Sequence, residues 1–115
     1  MKRGNSMIIN FTDMEETVLT EFYGGNKELR AHMHTDGLNK IMRAKLVPGA
    51  SIGLHTHEAG SEIIYVLEGK GKVLYDGKYE NVKAGICHYC PKGHSHSLIN
   101  DSEEDLIFFA VVPVQ

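Results

Sequence analysis

The sequence predicts an all-β domain of the sandwich or barrel type. Three observations predict it. From residue 28 onward the chain is a succession of short strand-like runs, glycine- and proline-containing separators fall between them, and no segment has room for a crossover helix. The runs are "ELRAHMH", "NKIMRAKLV", "EIIYVLE", "GKVLYD", "KYENVK", "ICHYC", "HSLI" and "DLIFFAVV", separated by "TDG", "PGA", "EAGS", "EGKG", "DGK", "KAG" and "PKG".

Taken in order, residues 1–27 read as an N-terminal arm and residues 28–115 as the barrel, within a single domain of 115 residues. The arm holds the only helix signal, "TDMEETVLTE", where Thr12 and Glu15 have capping-box spacing; the β-branched Thr17 and Val18 limit it to a short turn. In the barrel, Asp76-Gly77 between "KVLY" and "KYENV" predicts a two-residue hairpin. The last strand, "DLIFFAVV", is apolar at both parities, so one face should look into the barrel and the other against a second sheet or subunit. "GKG" at 69–71 is a hairpin corner rather than a phosphate loop, because no helix follows it.

Composition excludes several classes. Twelve Lys and Arg against fifteen Asp and Glu give a net charge of -3, which is no footprint for nucleic acid or a membrane surface. The longest apolar run, "LIFFAVVPV", is too short to span a bilayer and contains a proline. "MKRGNSM" lacks the apolar stretch of a signal peptide, and Met7 is an alternative start. A cytoplasmic protein is expected. The two cysteines, Cys87 and Cys90, lie three apart on a strand and so face opposite sides. Their Cα atoms would be about 10 Å apart, beyond the reach of about 7 Å for a disulfide, so two reduced thiols are expected.

Seven histidines are the unusual entry in the composition. His55 and His57 share one face of a strand, with Cα atoms about 6.6 Å apart, and two imidazoles so placed can converge on one ion. Glu62 follows the "EAGS" turn and can fold back beside them, adding an anionic oxygen. Taken alone, His-x-His fits a polar strand as well as a metal site. The surrounding spacing is more specific. Gly49, His55, His57, Glu62 and Gly69 frame "GASIGLHTHEAGSEIIYVLEG"; Gly85, Pro91, Gly93, His96 and Asn100 frame "GICHYCPKGHSHSLIN".

These two segments, at 49–69 and 85–100, resemble the two signature motifs of the cupin superfamily at every defining position. The resemblance implies a jelly-roll barrel, or double-stranded β-helix, with one divalent transition-metal ion inside. Carried over position by position, it implies His55, His57, Glu62 and His96 as ligands. Three imidazoles and one carboxylate leave two positions open on an octahedral ion and accept Mn, Fe, Co, Ni, Cu or Zn. Asn100 should bond backbone rather than metal.

Other residues have two readings each. His94 shares the parity of His96 but sits in a turn, and is either a further ligand or a rim residue or outer hydrogen-bond donor. His88 and Cys90 should line the cavity, with Cys87 and Tyr89 outward. His88 is either a buried, hydrogen-bonded core residue or a general acid or base near the ion. His32 and His34 repeat the His-x-His spacing without the glycine and glutamate frame, and are read as solvent-facing or rim residues. Met33 and Met42 belong to core or cavity lining. Arg30, Arg43 and Lys45 lie on strands that could border the mouth, Arg43 being the choice for a carboxylate-binding rim residue.

Fold and metal do not fix a reaction. The leading expectation is a small metalloenzyme acting on a sugar, uronate, or hydroxy or keto acid, by isomerase, lyase or dioxygenase chemistry, with the ion chelating substrate oxygens. The alternative is a metal-dependent small-molecule binding or sensing module without turnover. "DLIFFAVV" offers no acid or base in its interior, which weakens a uronate-processing role. The apolar outer parities of "IIYVL" and "LIFFAVV" suit a homodimer interface.

Overall fold

The computed structural model describes residues 7–115, so "MKRGNS", and with it most of the start-site reading, lies outside the described residues. Ten strands run β1 (Thr17–Thr20), β2 (Glu28–Thr35), β3 (Asn39–Leu46), β4 (His55–Thr56), β5 (Glu62–Glu68), β6 (Lys70–Tyr75), β7 (Lys78–Lys83), β8 (Cys87–Cys90), β9 (Ser95–Ile99) and β10 (Leu106–Pro113). They form two antiparallel sheets. One has six strands in the order β1-β2-β3-β10-β5-β8, the other four in the order β4-β9-β6-β7. This is the double-stranded jelly roll expected from the sequence, with the two sheets packed face to face.

Period-two alternation decides what each strand buries. On β10, Leu106, Phe108 and Ala110 are buried while Ile107, Phe109 and Val111 are half-buried on the other side. Leu29, Ala31, Met42, Ala44, Leu46, Ile64 and Val66 complete the inner face of the large sheet, and Val73, Val82 and Leu98 oppose them from the small one. Full burial of one such side chain is worth about 1.5–3 kcal/mol. Phe108, wholly buried, anchors the layer.

The turns are specified locally. Asp76 (φ 46) and Gly77 (φ 84) join β6 to β7 with Tyr75 opposite Lys78, the two left-handed residues that a tight hairpin requires. Asn100 closes β9. Its Nδ2 donates to the carbonyls of Leu46 (2.9 Å) and Glu104 (2.7 Å), and its Oδ1 accepts from the Ser102 amide and hydroxyl.

The arm differs from the expectation of a helical turn with Thr12 as its cap. At that signal Phe11–Asp13 alone turns, as 3-10 helix, and its cap is Asn10, whose side chain accepts from the Thr12 amide at 3.1 Å. "TVLT" pairs with β2 instead, as its β-branched residues favour. A second 3-10 turn, Phe22–Gly24, follows. It is held against residues 51–53 by Gly53 N–H donating to Phe22 O (2.9 Å) and Ser51 N–H donating to Asn26 O (2.9 Å). Glycine is needed at that crossing: a Cβ on Gly53 would strike the Tyr23 carbonyl, and one on Gly25 the Ser51 carbonyl.

Candidate metal centre

Pairing register brings the predicted ligands together. β4 is only two residues long, and His55 stands directly opposite His96 of β9. His57 lies one residue beyond β4, its amide donating to His94 O at 3.0 Å. The "EAGS" turn is pinned where Gly60 bridges Val114, so Glu62 opens β5 facing inward, opposite Cys90 of β8. The four side chains form one group whose donor atoms all lie within 4.8 Å of one another.

The spacing within that group tests its fit to an ion. His57 Nε2 is 2.9 Å from His96 Nε2, and Glu62 Oε1 is 3.0 Å from each. Donors at right angles on an ion with bonds of about 2.1 Å lie about 3.0 Å apart, against about 3.4 Å for a tetrahedral arrangement. Three edges of the cluster therefore match one face of an octahedron. His55 Nε2 stands further off, 3.9 Å from the same oxygen. The residues fit a six-coordinate divalent ion.

Hydrogen bonds orient the rings. His55 Nδ1 donates to Gly53 O (2.8 Å), which leaves Nε2 bare for the cluster. His96 Nδ1 is 3.0 Å from His88 Nε2. His88 is pushed down to about 4, by burial first and then by His96, against the opposing pull of Glu62. It is therefore neutral at pH 7 and can accept the His96 Nδ1 proton, freeing His96 Nε2. Burial, the largest influence on the Glu62 carboxyl, would raise it. The surrounding imidazoles of His55, His57 and His96 together outweigh burial and hold it well below the usual carboxylate range.

The remaining sequence-predicted residues fall elsewhere. His88 and Cys90 are buried while Cys87 and Tyr89 are exposed, but His88 touches His96 from behind the cluster and does not line the open pocket. Cys90 has its thiol pushed up to about 11, by burial first and then by Glu62 and Asp76, and its Sγ points to His94 O at 3.5 Å. It is a neutral core thiol. His94 is outside the ligand group, its Nδ1 held by Asp76 Oδ2 (2.5 Å) and the Tyr75 hydroxyl (3.2 Å). Arg43 departs from the expected rim position. Strand alternation turns Met42 inward and Arg43 to the exposed outer face, beside His32. Arg30 pairs with Glu16 and Glu28 on that same outer face, and Lys45 lies nearest Asp105.

A small cavity of about 100 Å³ opens onto the cluster. Its walls are His55, His57, Glu62, Met42, Ile52 and Val112, with Phe22, Tyr23 and Lys40 at its side. Tyr23 stacks on His55, with ring centroids 4.2 Å apart and planes at 11°. Sequence reasoning missed Phe22, Tyr23 and Lys40. "FYGG" did carry a signal, an aromatic pair before a glycine pair, which is suited to a tight turn.

Residues 42–112 match the cupin domain family. A protein of Thermotoga maritima named oxalate-binding protein is 36% identical over 119 residues, covering 97% of this chain and 98% of that one. The crystal structure of a predicted oxalate decarboxylase from Thermotoga maritima superposes with a TM-score of 0.89 at 31% identity, over 95% of this chain and 100% of that one. A polyketide cyclase from Streptomyces resistomycificus shares the fold, with a TM-score of 0.75 at 24% identity over 100% of this chain and 80% of that one. With the family match spanning more than half of the sequence and a full-length relative above 30% identity, the chain belongs to the cupin family.

Proposed function

We propose that this chain is a metal-dependent binding protein for a small oxygen-rich acid, with His55, His57, Glu62 and His96 as the ligands of its ion. The observation that carries this is the make-up of the cavity wall. Beyond three of the proposed ligands, His55, His57 and Glu62, it is Phe22, Tyr23, Lys40, Met42, Ile52 and Val112, with no further carboxylate, imidazole or thiol among the described residues. A bound ion would supply a Lewis acid with open positions for ligand oxygens. The apolar walls exclude water and limit the ligand to a few heavy atoms. His88 is a positioning residue, since it reaches the site only through His96. The leading expectation from sequence, a metalloenzyme with His88 as acid or base, is less well supported, because His88 stands behind His96 rather than at the cavity.

Oxalate is the ligand to test first, given the name of the Thermotoga maritima relative. Protein loaded with Mn(II) should bind oxalate in a calorimetric titration, lose that binding after chelator treatment, and leave the oxalate intact. Consumption of oxalate would return the assignment to a metalloenzyme, and absence of metal-dependent binding would overturn the proposal.

We further propose a cytoplasmic homodimer. The two thiols are free and face opposite ways, which suits a reducing compartment. Ile63, Tyr65 and Leu67 of β5 with Ile86 and Tyr89 form an exposed apolar face suited to a second copy. A monomeric mass at micromolar concentration would contradict it.

A further inference from the structure

Among the described residues, Lys40 is the one Lys or Arg that lines the cavity at the cluster. It sits on β3, opposite Thr35 of β2 and Val112 of β10, and is half-buried. Among the described residues, Arg30, Lys45 and Lys72 each lie within ion-pair distance of a carboxylate, and Lys40 does not. Its contact is aromatic: Nζ lies 6.0 Å from the centre of the Phe22 ring. Phe22 packs on Tyr23 at 4.4 Å and Tyr23 on His55 at 4.2 Å, so one stack runs from the ammonium to the cluster. The backbone bonds that clamp residues 22–26 to residues 51–53 keep that stack in place.

Charge balance gives the stack a meaning. A divalent ion, one carboxylate and one ammonium leave two positive charges in a small apolar-walled cavity, and charges in such a setting are costly unless balanced. Building on the proposal of metal-dependent acid binding, we infer that Lys40 makes the site selective for dianions: the ligand chelates the ion through one edge and presents a second anionic group to the Lys40 ammonium. Short diacids meet this requirement, and singly charged hydroxy or keto acids of the same size do not. Lys40 is thus a specificity-determining residue.

The test uses oxalate and oxamate, which have nearly the same shape and both carry vicinal oxygen donors, although oxamate has one negative charge fewer. Both are titrated calorimetrically into Mn(II)-loaded wild type and Lys40→Met. Oxalate chelates metal ions better than oxamate in any setting, so the quantity read is the change in the oxalate-to-oxamate preference between the two proteins. We expect oxalate affinity to fall more than oxamate affinity in Lys40→Met, so that the preference drops about tenfold or more, and Lys40→Arg to restore most of it. An unchanged preference in a Lys40→Met protein that still holds Mn(II) overturns the inference while leaving metal-dependent binding intact. If wild type binds neither acid, the inference and the functional proposal fall together. Should Lys40→Met fail to fold or to hold Mn(II), Lys40→Gln carries the same comparison with the same outcomes.

Discussion

His32 and His34 on β2 have the same spacing as His55 and His57, yet the two pairs end in different chemistry. On β2 the inward positions are taken by Leu29, Ala31 and Met33, so both histidines face out. There His32 Nδ1 lies 3.0 Å from Met14 O and His34 Nε2 3.4 Å from the Asp36 carboxylate. The second pair faces inward, and two separate strands deliver Glu62 and His96 to it. Spacing puts two imidazoles on one face of a strand. Parity and the register of neighbouring strands decide whether that face meets further donors.

The sharpest way to break this contrast is to remove a donor from the inward cluster. His96→Ala and Glu62→Gln should each weaken metal binding by more than about 100-fold, beyond the loss usual for an outer partner. Metal analysis after purification at a fixed Mn(II) concentration reads this, and retention of a full equivalent in either variant would refute the cluster as the site. A smaller effect is expected behind the cluster. His88→Leu keeps all four donors and removes only the acceptor of the His96 proton, so metal affinity should fall about 10- to 100-fold. An unchanged affinity would mean that His88 does not orient His96.

The metal-free protein should show the asymmetry as a pH dependence. His88 takes a proton only near pH 4 when folded but at its ordinary 6.5 when unfolded. Between those values the unfolded chain binds more protons, so stability falls as pH drops from 6.5 towards 4. Glu62, held below its ordinary 4.5, adds a loss in the same direction at lower pH. Chemical denaturation of chelator-treated wild type and His88→Leu across this range should give a shallower slope for the variant. Equal slopes would assign the dependence to other groups. The smallest effect belongs to the outward pair: His32→Gln with His34→Gln should leave metal content unchanged and cost no more than about 1 kcal/mol of stability. A drop in metal content there would erase the contrast.

Much of this was legible before the structure. Eight of the nine strands from Glu28 onward, all but the two-residue β4, lie within a residue or two of their sequence runs, because alternation and glycine turns are local signals. The jelly roll and the His-His-Glu-His group followed from the resemblance of the two glycine-framed segments to the cupin motifs, whereas local spacing by itself offered only His55, His57 and Glu62 as possible neighbours. What escaped depended on contacts far apart in sequence. "TVLT" reads only as the limit of a short turn, and its strand depended on β2 offering it an edge to pair with. Arg43 needed the parity of β3, which only the burial of Met42 reveals. Tyr23 reaches His55 through its left-handed backbone (φ 55) and a glycine crossing 28 positions further on, Gly25 against Gly53. No local pattern encodes that approach.

The cluster also joins the two sheets. Glu62 and His88 belong to the six-stranded sheet, His55 and His96 to the four-stranded one. An ion held by both acts as a rivet through the sandwich at that end, and whatever loosens the ion loosens the seam. Binding to the folded state alone raises its population by mass action. Were such an ion bound, metal supply would govern how long each copy of this protein survives proteolysis, so that its abundance would follow that ion.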